Sequence, residues 1–198
     1  MSLQEPLILA STSRYRRELL ERLKIPFASH PPDIDETALP RETPEELVKR
    51  LSIAKAKKIA NTHPQAWVIG SDQVADFRGA AIGKPLTHEN AMAQLQLMRG
   101  EVVIFRTGLC LMNVSRKMTH FMSVDTKVQF RDLPDDVLES YLLTEQPYDC
   151  AGSAKSEGLG ISLLSSIEST DPTALIGLPL IALSGLLRDS GFIIPAPN

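Results

Sequence analysis

An apolar tetrapeptide, Leu7-Ile8-Leu9-Ala10, runs without a break into three hydroxyl residues, Ser11-Thr12-Ser13, and then into a segment whose Leu19, Leu20 and Leu23 share one helical face. A short buried strand feeding straight into a capped helix is the opening unit of an α/β fold. The hydroxyls cap a helix predicted over Arg14 to Lys24, and Pro26 stops it. The alternation then continues. Thr43-Pro44-Glu45-Glu46 is a capping box with proline at the first helical position, opening a helix through about Ala60, and Ala66 to Ile69 is the next buried strand. Thr87 caps a third helix to about Met98, and Asp135 starts a fourth. Val102 to Val114 and Met118 to Phe130 alternate as a long hairpin around Ser115-Arg116-Lys117, which requires antiparallel pairing. A strand near Ile161 to Leu164 and a helix from Pro179 to Asp189, closed by Gly191, complete a mixed sheet flanked by helices.

With no internal repeat and no low-complexity linker, the 198 residues are expected to form a single domain, in two lobes around a cleft. A net charge of −3 gives no global basic surface for a nucleic acid polymer or an anionic membrane, so local sites must carry the function. The apolar run Ala174 to Leu187 is interrupted by Gly177, Pro179, Ser184 and Gly185 and is too short for a membrane span of about 20 residues; it reads as a buried helix. The N-terminal MSLQEP lacks a basic region followed by an apolar stretch, so the cytoplasm is the expected location. Cys110 and Cys150 fit two reduced thiols, and the four histidines lack the close spacing of a helical metal site.

Five segments carry chemistry. Ser11-Thr12-Ser13-Arg14-Tyr15-Arg16 offers hydroxyls, backbone N–H groups and a guanidinium to a phosphate at a helix N-terminus, or else merely caps the helix. Lys55 falls near the middle of the apolar arc formed by Leu47, Val48, Leu51, Ala54 and Ile59, either snorkelling to water or placed for a triphosphate. Trp67-Val68-Ile69-Gly70-Ser71-Asp72-Gln73 puts an acid at the expected carboxyl end of a strand, where a metal ligand or general base is useful, although turns also favour aspartate. At that exposed position, Asp72→Asn should leave thermal stability nearly intact. Ala81-Ile82-Gly83-Lys84-Pro85 is not a Walker loop, since Pro85 replaces the magnesium-holding hydroxyl, but it fixes a lysine between Gly and Pro. Glu36 lies in the acidic loop Asp33-Ile34-Asp35-Glu36-Thr37, which is either simply solvated or, with Asp72, able to hold Mg²⁺ or Mn²⁺ that substrate phosphates would complete.

Taken in order, these pieces resemble the Maf family of nucleotide pyrophosphatases from Leu7 to about Leu187. The SxSxxR, DET and GKP motifs are Ser11 to Arg16, Asp35-Glu36-Thr37 and Gly83-Lys84-Pro85; the lysine after an RL pair is Lys55 after Arg50-Leu51; GLP is Gly177-Leu178-Pro179. The resemblance implies a fold like that of inosine triphosphate pyrophosphatases, an elongated mixed sheet with a central cleft, in a homodimer. The implied reaction is metal-dependent hydrolysis between the α and β phosphates of a nucleoside triphosphate. Asp72 is then the base, also touching metal with Glu36, while Ser11, Ser13, Arg16, Lys55 and Lys84 attend the phosphates. One departure is Ala174, where many members carry asparagine.

Gly70-Ser71-Asp72-Gln73 and Cys150 to Gly158 resemble the members associated with 7-methyl-GTP rather than those acting on dTTP and UTP. Glu157 suits the N1–H and N2 amine donors of guanine, a pair that thymine lacks. Tyr15 either packs beside Leu19 or offers a face to the cationic methylated base, and Gln73 either reads a base edge or orients a water. A nucleotide-responsive role in cell division is the competing expectation from another class.

Overall fold

The computed structural model describes residues 5–195. In chain order the elements are β1 (Leu7–Ala10), α1 (Arg14–Glu21), β2 (Ala28–His30), α2 (Pro44–Ala60), β3 (Trp67–Phe77), β4 (Ala80–Ile82), α3 (His88–Met98), β5 (Val102–Asn113), β6 (Met118–Phe130), α4 (Asp135–Glu145), β7 (Leu164–Ser169) and α5 (Leu180–Asp189). The seven-stranded sheet runs β2-β1-β3-β5-β6-β7, with β4 added to β3. β1 pairs in parallel with β2 and β3, and the remaining pairs are antiparallel. The fold is therefore the mixed α/β sheet flanked by helices that the sequence implies. No helix among the described residues is long and apolar enough to cross a membrane.

β3 organises the sheet because its two edges are treated differently. Along one edge it pairs with β5 without interruption from Val68 to Asp76. Along the other, Trp67 to Ile69 pair with β1 and Ala75 to Phe77 pair with β4. Between them, Gly70 to Val74 has no strand partner on this second edge among the described residues, and the sheet opens there. Side chains alternate along β3 as pleating requires. Trp67 and Ile69 join the core under α1 and α5, Ala75 and Phe77 join a second core under α3 and α4, and Val68 and Val74 face α2 on the opposite side.

α2 lies unusually close to the sheet because two glycines make room. A Cβ on Gly70 would collide with the backbone O of Ser52 and stand 2.6 Å from the backbone N of Ala56, and one on Gly108 would collide with Ser52 Oγ and stand 3.0 Å from the Val48 carbonyl. Ser52, fully buried, uses this closeness: its hydroxyl donates to the Val48 carbonyl and accepts the Asp72 N–H at 3.1 Å.

Several boundaries differ from the sequence expectation. α1 ends at Glu21 rather than Lys24. The strand expected over Ile161 to Leu164 is Leu164–Ser169, preceded by a 3-10 turn over Leu159–Leu163; only Leu164 of this edge strand is buried, so its polar sequence carries no alternation. The run Ala174 to Leu187 is not one helix. A 3-10 turn (Ala174–Ile176) ends at Gly177 in the left-handed region (φ 118°), and α5 begins only after Pro179. β2 and β4, three residues each, lack a pattern long enough to see.

Candidate active site

The gap in the sheet opens into a cleft of about 800 Å³. Its walls include Ser11, Ser13, Tyr15 and Arg16, then Glu36, Lys55, Asp72, Gln73 and Lys84, and finally Glu157. Segments separated by more than a hundred positions in the chain thus converge, and every site residue named from the sequence lies on this one cleft.

Asp72 is where the sequence expectation needs correction. β3 does not end at Ile69 but continues to Phe77, so Asp72 sits in mid-strand opposite Gly108, and it is only 6% exposed. The polar stretch Gly70-Ser71-Asp72-Gln73 hides this continuation, because its side chains serve the cleft and the neighbouring helix rather than a core. Lys55 also departs from one of its readings. It does not snorkel to water; its side chain is 5% exposed and its Nζ lies 2.6 Å from Asp72 Oδ1 and 2.7 Å from Glu36 Oε1. The second oxygen of Asp72 accepts no hydrogen bond from the described residues.

Glu36 reaches this point from a loop that Arg50 clamps. The Arg50 guanidinium donates to both oxygens of Glu42, at 2.5 and 2.8 Å, and to the Thr37 carbonyl at 2.9 Å, while Asp35 Oδ1 accepts the Thr37 N–H. The Arg50 fork holds the Glu42 carboxyl down to about 2. Burial works to raise the Glu36 carboxyl, but the hydrogen bond and charge of Lys55, with Lys84 and Arg16 behind it, outweigh burial and hold it below its ordinary value.

Arg16 is set by the turn after β7. Its Nε donates to the Gly177 carbonyl at 2.9 Å, an oxygen that also accepts from the buried Ser71 hydroxyl at 3.0 Å. Burial pushes the guanidinium below its ordinary pKa, opposed by the charges of Asp72 and Glu36. Ser13 caps α1 by accepting the Arg16 N–H, and Ser11 Oγ accepts the Ser13 N–H, so the capping role holds, while the residues of this helix N-terminus also line the cleft. Gln73 is more committed than its sequence suggested. The two N–H groups of its Nε2 are shared among Thr107 Oγ1 and the carbonyls of Ala174 and Leu175, and its amide oxygen has no hydrogen-bond partner among the described residues. Ala174, in the position of the missing asparagine, is fully buried and contributes this backbone oxygen instead.

Around Tyr15 the character changes. The Arg14 guanidinium lies 4.7 Å from its ring centroid and the Lys155 ammonium 6.0 Å, while Asp149, Cys150 and Glu157 line the cleft nearby. Lys155 is tied back to Glu145. Both cysteines are free, and burial pushes the Cys110 and Cys150 thiols up to about 12, which makes them poor nucleophiles. Asp149 lies outside every segment that the sequence singles out, and Arg14 and Cys150 lie inside such segments without a role of their own; the fold brings all three to the cleft.

The donor set fits a hard divalent cation. Glu36 and Asp72 aim oxygens at one point, and such ions take oxygen ligands and keep several waters. Among the described residues no group of three or more His, Cys, Asp or Glu gathers tightly enough to hold a metal alone, so further ligands would have to come from phosphates and water.

The family described as Maf-like protein matches residues 6–190. A 7-methyl-GTP pyrophosphatase of Paraburkholderia xenovorans (strain LB400) is 58% identical over 196 residues, covering 96% of this chain and 96% of that protein. Another, from Polaromonas sp. (strain JS666 / ATCC BAA-500), is 54% identical over 186 residues, covering 94% and 85%. Among solved structures, the Staphylococcus aureus Ham1 protein is similar at 17% identity with a TM-score of 0.47, over 65% of this chain and 73% of that one. The family match begins one residue before β1 and ends one residue after α5, so it takes in every strand and helix that builds the cleft: the chain belongs to the Maf-like protein family.

Proposed function

We propose that the chain is a nucleoside triphosphate pyrophosphatase that hydrolyses 7-methyl-GTP to 7-methyl-GMP and diphosphate, removing a modified nucleotide from the pool. The observation that carries this reading is the pairing of one buried ammonium, Lys55, with two carboxylates in a cleft that also holds Arg16 and Lys84. Polyphosphate hydrolysis needs little covalent chemistry from a protein; positioning and charge stabilisation supply most of the acceleration. Arg16, Lys55 and Lys84 neutralise phosphate oxygens, and Ser11 and Ser13 order the helix N-terminus beside them. Asp72 accepts the proton of the attacking water on the carboxylate oxygen that Lys55 leaves free. Glu36 and Asp72 would hold Mg²⁺ or Mn²⁺, which supplies Lewis-acid polarisation of the phosphates when bound.

The other part of the cleft supports the methylated base. N7-methylation makes guanine a cation, and the walls there present the Tyr15 ring together with Asp149 and Glu157. Glu157 accepts from the N1–H and N2 amine of the base, and the Gln73 amide oxygen, free of the contacts that engage Nε2, is available as a further acceptor. The names of the relatives at 54–58% identity agree with this choice. The site works in the cytoplasm, on each protomer of a homodimer whose mass light scattering would read.

The test is release of pyrophosphate from 7-methyl-GTP, GTP, dTTP and UTP with Mg²⁺ and Mn²⁺ in turn. The expected result is the highest kcat/KM on 7-methyl-GTP; no release from any triphosphate overturns the enzyme, and preference for dTTP and UTP overturns the base assignment. Glu157→Gln is expected to lower kcat/KM on 7-methyl-GTP by roughly 10–100-fold, the equivalent of one bidentate base contact, with little change on the pyrimidine nucleotides. An unchanged substrate ranking removes Glu157 from base recognition.

A further inference from the structure

Among the described residues, Lys55 alone is both buried and in contact with both Glu36 and Asp72. Lys84 is exposed, and Arg16 spends its Nε on the Gly177 carbonyl. Two acids aimed at one point repel unless a cation stands between them, and the ammonium stands there. The ammonium stands on one oxygen of each acid, at the point between them where a hard divalent ion bridging the two would also sit, so ammonium and metal compete for that place. An ammonium on a flexible four-carbon stem can leave, but leaving is costly until another anion receives it.

We propose that Lys55 is a resident counter-ion that occupies the divalent-cation position of the free protein and yields it by swinging onto the substrate's phosphates, so that metal and nucleotide enter together. This rests on reading the cleft as a triphosphate site, and it assigns Lys55 a second duty beside phosphate neutralisation. The consequence is reciprocal coupling: phosphate tightens metal and metal tightens phosphate by the same factor. The free protein would also bind little metal at cellular concentrations, keeping its two acids paired between turnovers.

The probe is Mn²⁺ alone, titrated calorimetrically into wild type, Lys55→Met and Lys84→Met at one pH and ionic strength. Lys55→Met keeps the stem and removes the charge, and it is expected to bind Mn²⁺ at least about tenfold more tightly than wild type, whereas removing the non-contacting charge of Lys84 changes affinity less than about threefold. Equal or weaker binding by Lys55→Met overturns the proposal, because Lys55 would then organise the acids rather than compete for them. Equal gains in both variants also overturn it, since the effect would be the general field of the cleft. Should Lys55→Met not fold, wild-type crystals soaked in Mn²⁺ with and without inorganic phosphate give the same decision. An anomalous peak between Glu36 and Asp72 that requires phosphate, with Lys55 Nζ withdrawn from at least one carboxylate, supports the exchange; a peak equally strong without phosphate, or an unmoved Nζ, refutes it. The titration involves no turnover. A tenfold shift in a protein that hydrolyses no triphosphate would remove the proposed activity and leave this inference, and turnover without the shift would do the reverse.

Discussion

Asp72→Asn is expected to abolish turnover of 7-methyl-GTP, with kcat falling at least about 10³-fold, and to lower the melting temperature by roughly 4–8 °C. The first number follows from removing the group that accepts the water's proton, since a positioned general base is worth about 10²–10⁴. The second reverses the expectation for an exposed strand-end acid. Asp72 is buried in mid-strand and pairs with a buried ammonium at 2.6 Å, so the amide leaves Lys55 with one anionic partner instead of two. Breaking a buried pair outright costs about 3–5 kcal/mol, but Glu36 remains, and a loss of about 2 kcal/mol is the reasoned value. Differential scanning calorimetry and a pyrophosphate-release assay on the same preparation check both. An unchanged melting temperature would mean that the Lys55 pair contributes nothing to folding, and retained turnover would remove Asp72 as the base.

The helices were largely legible because their signals are local. Thr43 with Glu46, and Thr87 with the N–H of Asn90, cap the helices that the residues themselves announce, and β5 and β6 are long segments around a short polar turn, paired residue for residue from Val102 to Asn113, so the hairpin can be read directly. What escaped detection was non-local. The continuation of β3 past Ile69 is invisible because Ser71, Asp72 and Gln73 are polar for reasons that lie elsewhere: Ser71 bonds to Gly177, 106 positions away, and Gln73 to Ala174, 101 positions away. The anomaly of Lys55 could be seen, an amine in an apolar arc, but its resolution needed Asp72 and Glu36 at their distances. The set of cleft residues came from ordered motifs, whereas the change of character around Tyr15 came only from the fold, which brings Arg14 and Lys155 over its ring.

Gly70→Ala should be strongly damaging, although it adds one methyl group at a residue that does not line the cleft. The new Cβ would meet the backbone O of Ser52 and the backbone N of Ala56, both in the middle of α2, where no rotamer change can step aside. Either β3 or α2 must move. Overpacking of this kind costs about 1–3 kcal/mol and more when backbone is the obstacle, so a loss of about 3 kcal/mol and a fall of roughly 6–12 °C in melting temperature are expected. The functional loss should exceed what that instability explains. α2 carries Lys55 and Ser52, β3 carries Asp72, and the helix-to-strand spacing that Gly70 permits fixes both the ion pair and the Ser52–Asp72 hydrogen bond. A displacement of about 1 Å in such a constellation can cost on the order of 10²-fold in rate, so folded Gly70→Ala assayed well below its own melting temperature should show kcat reduced by about that factor. A variant that melts within 1–2 °C of wild type would show that the sheet and helix have slack at this point, and that the close approach does not position Lys55.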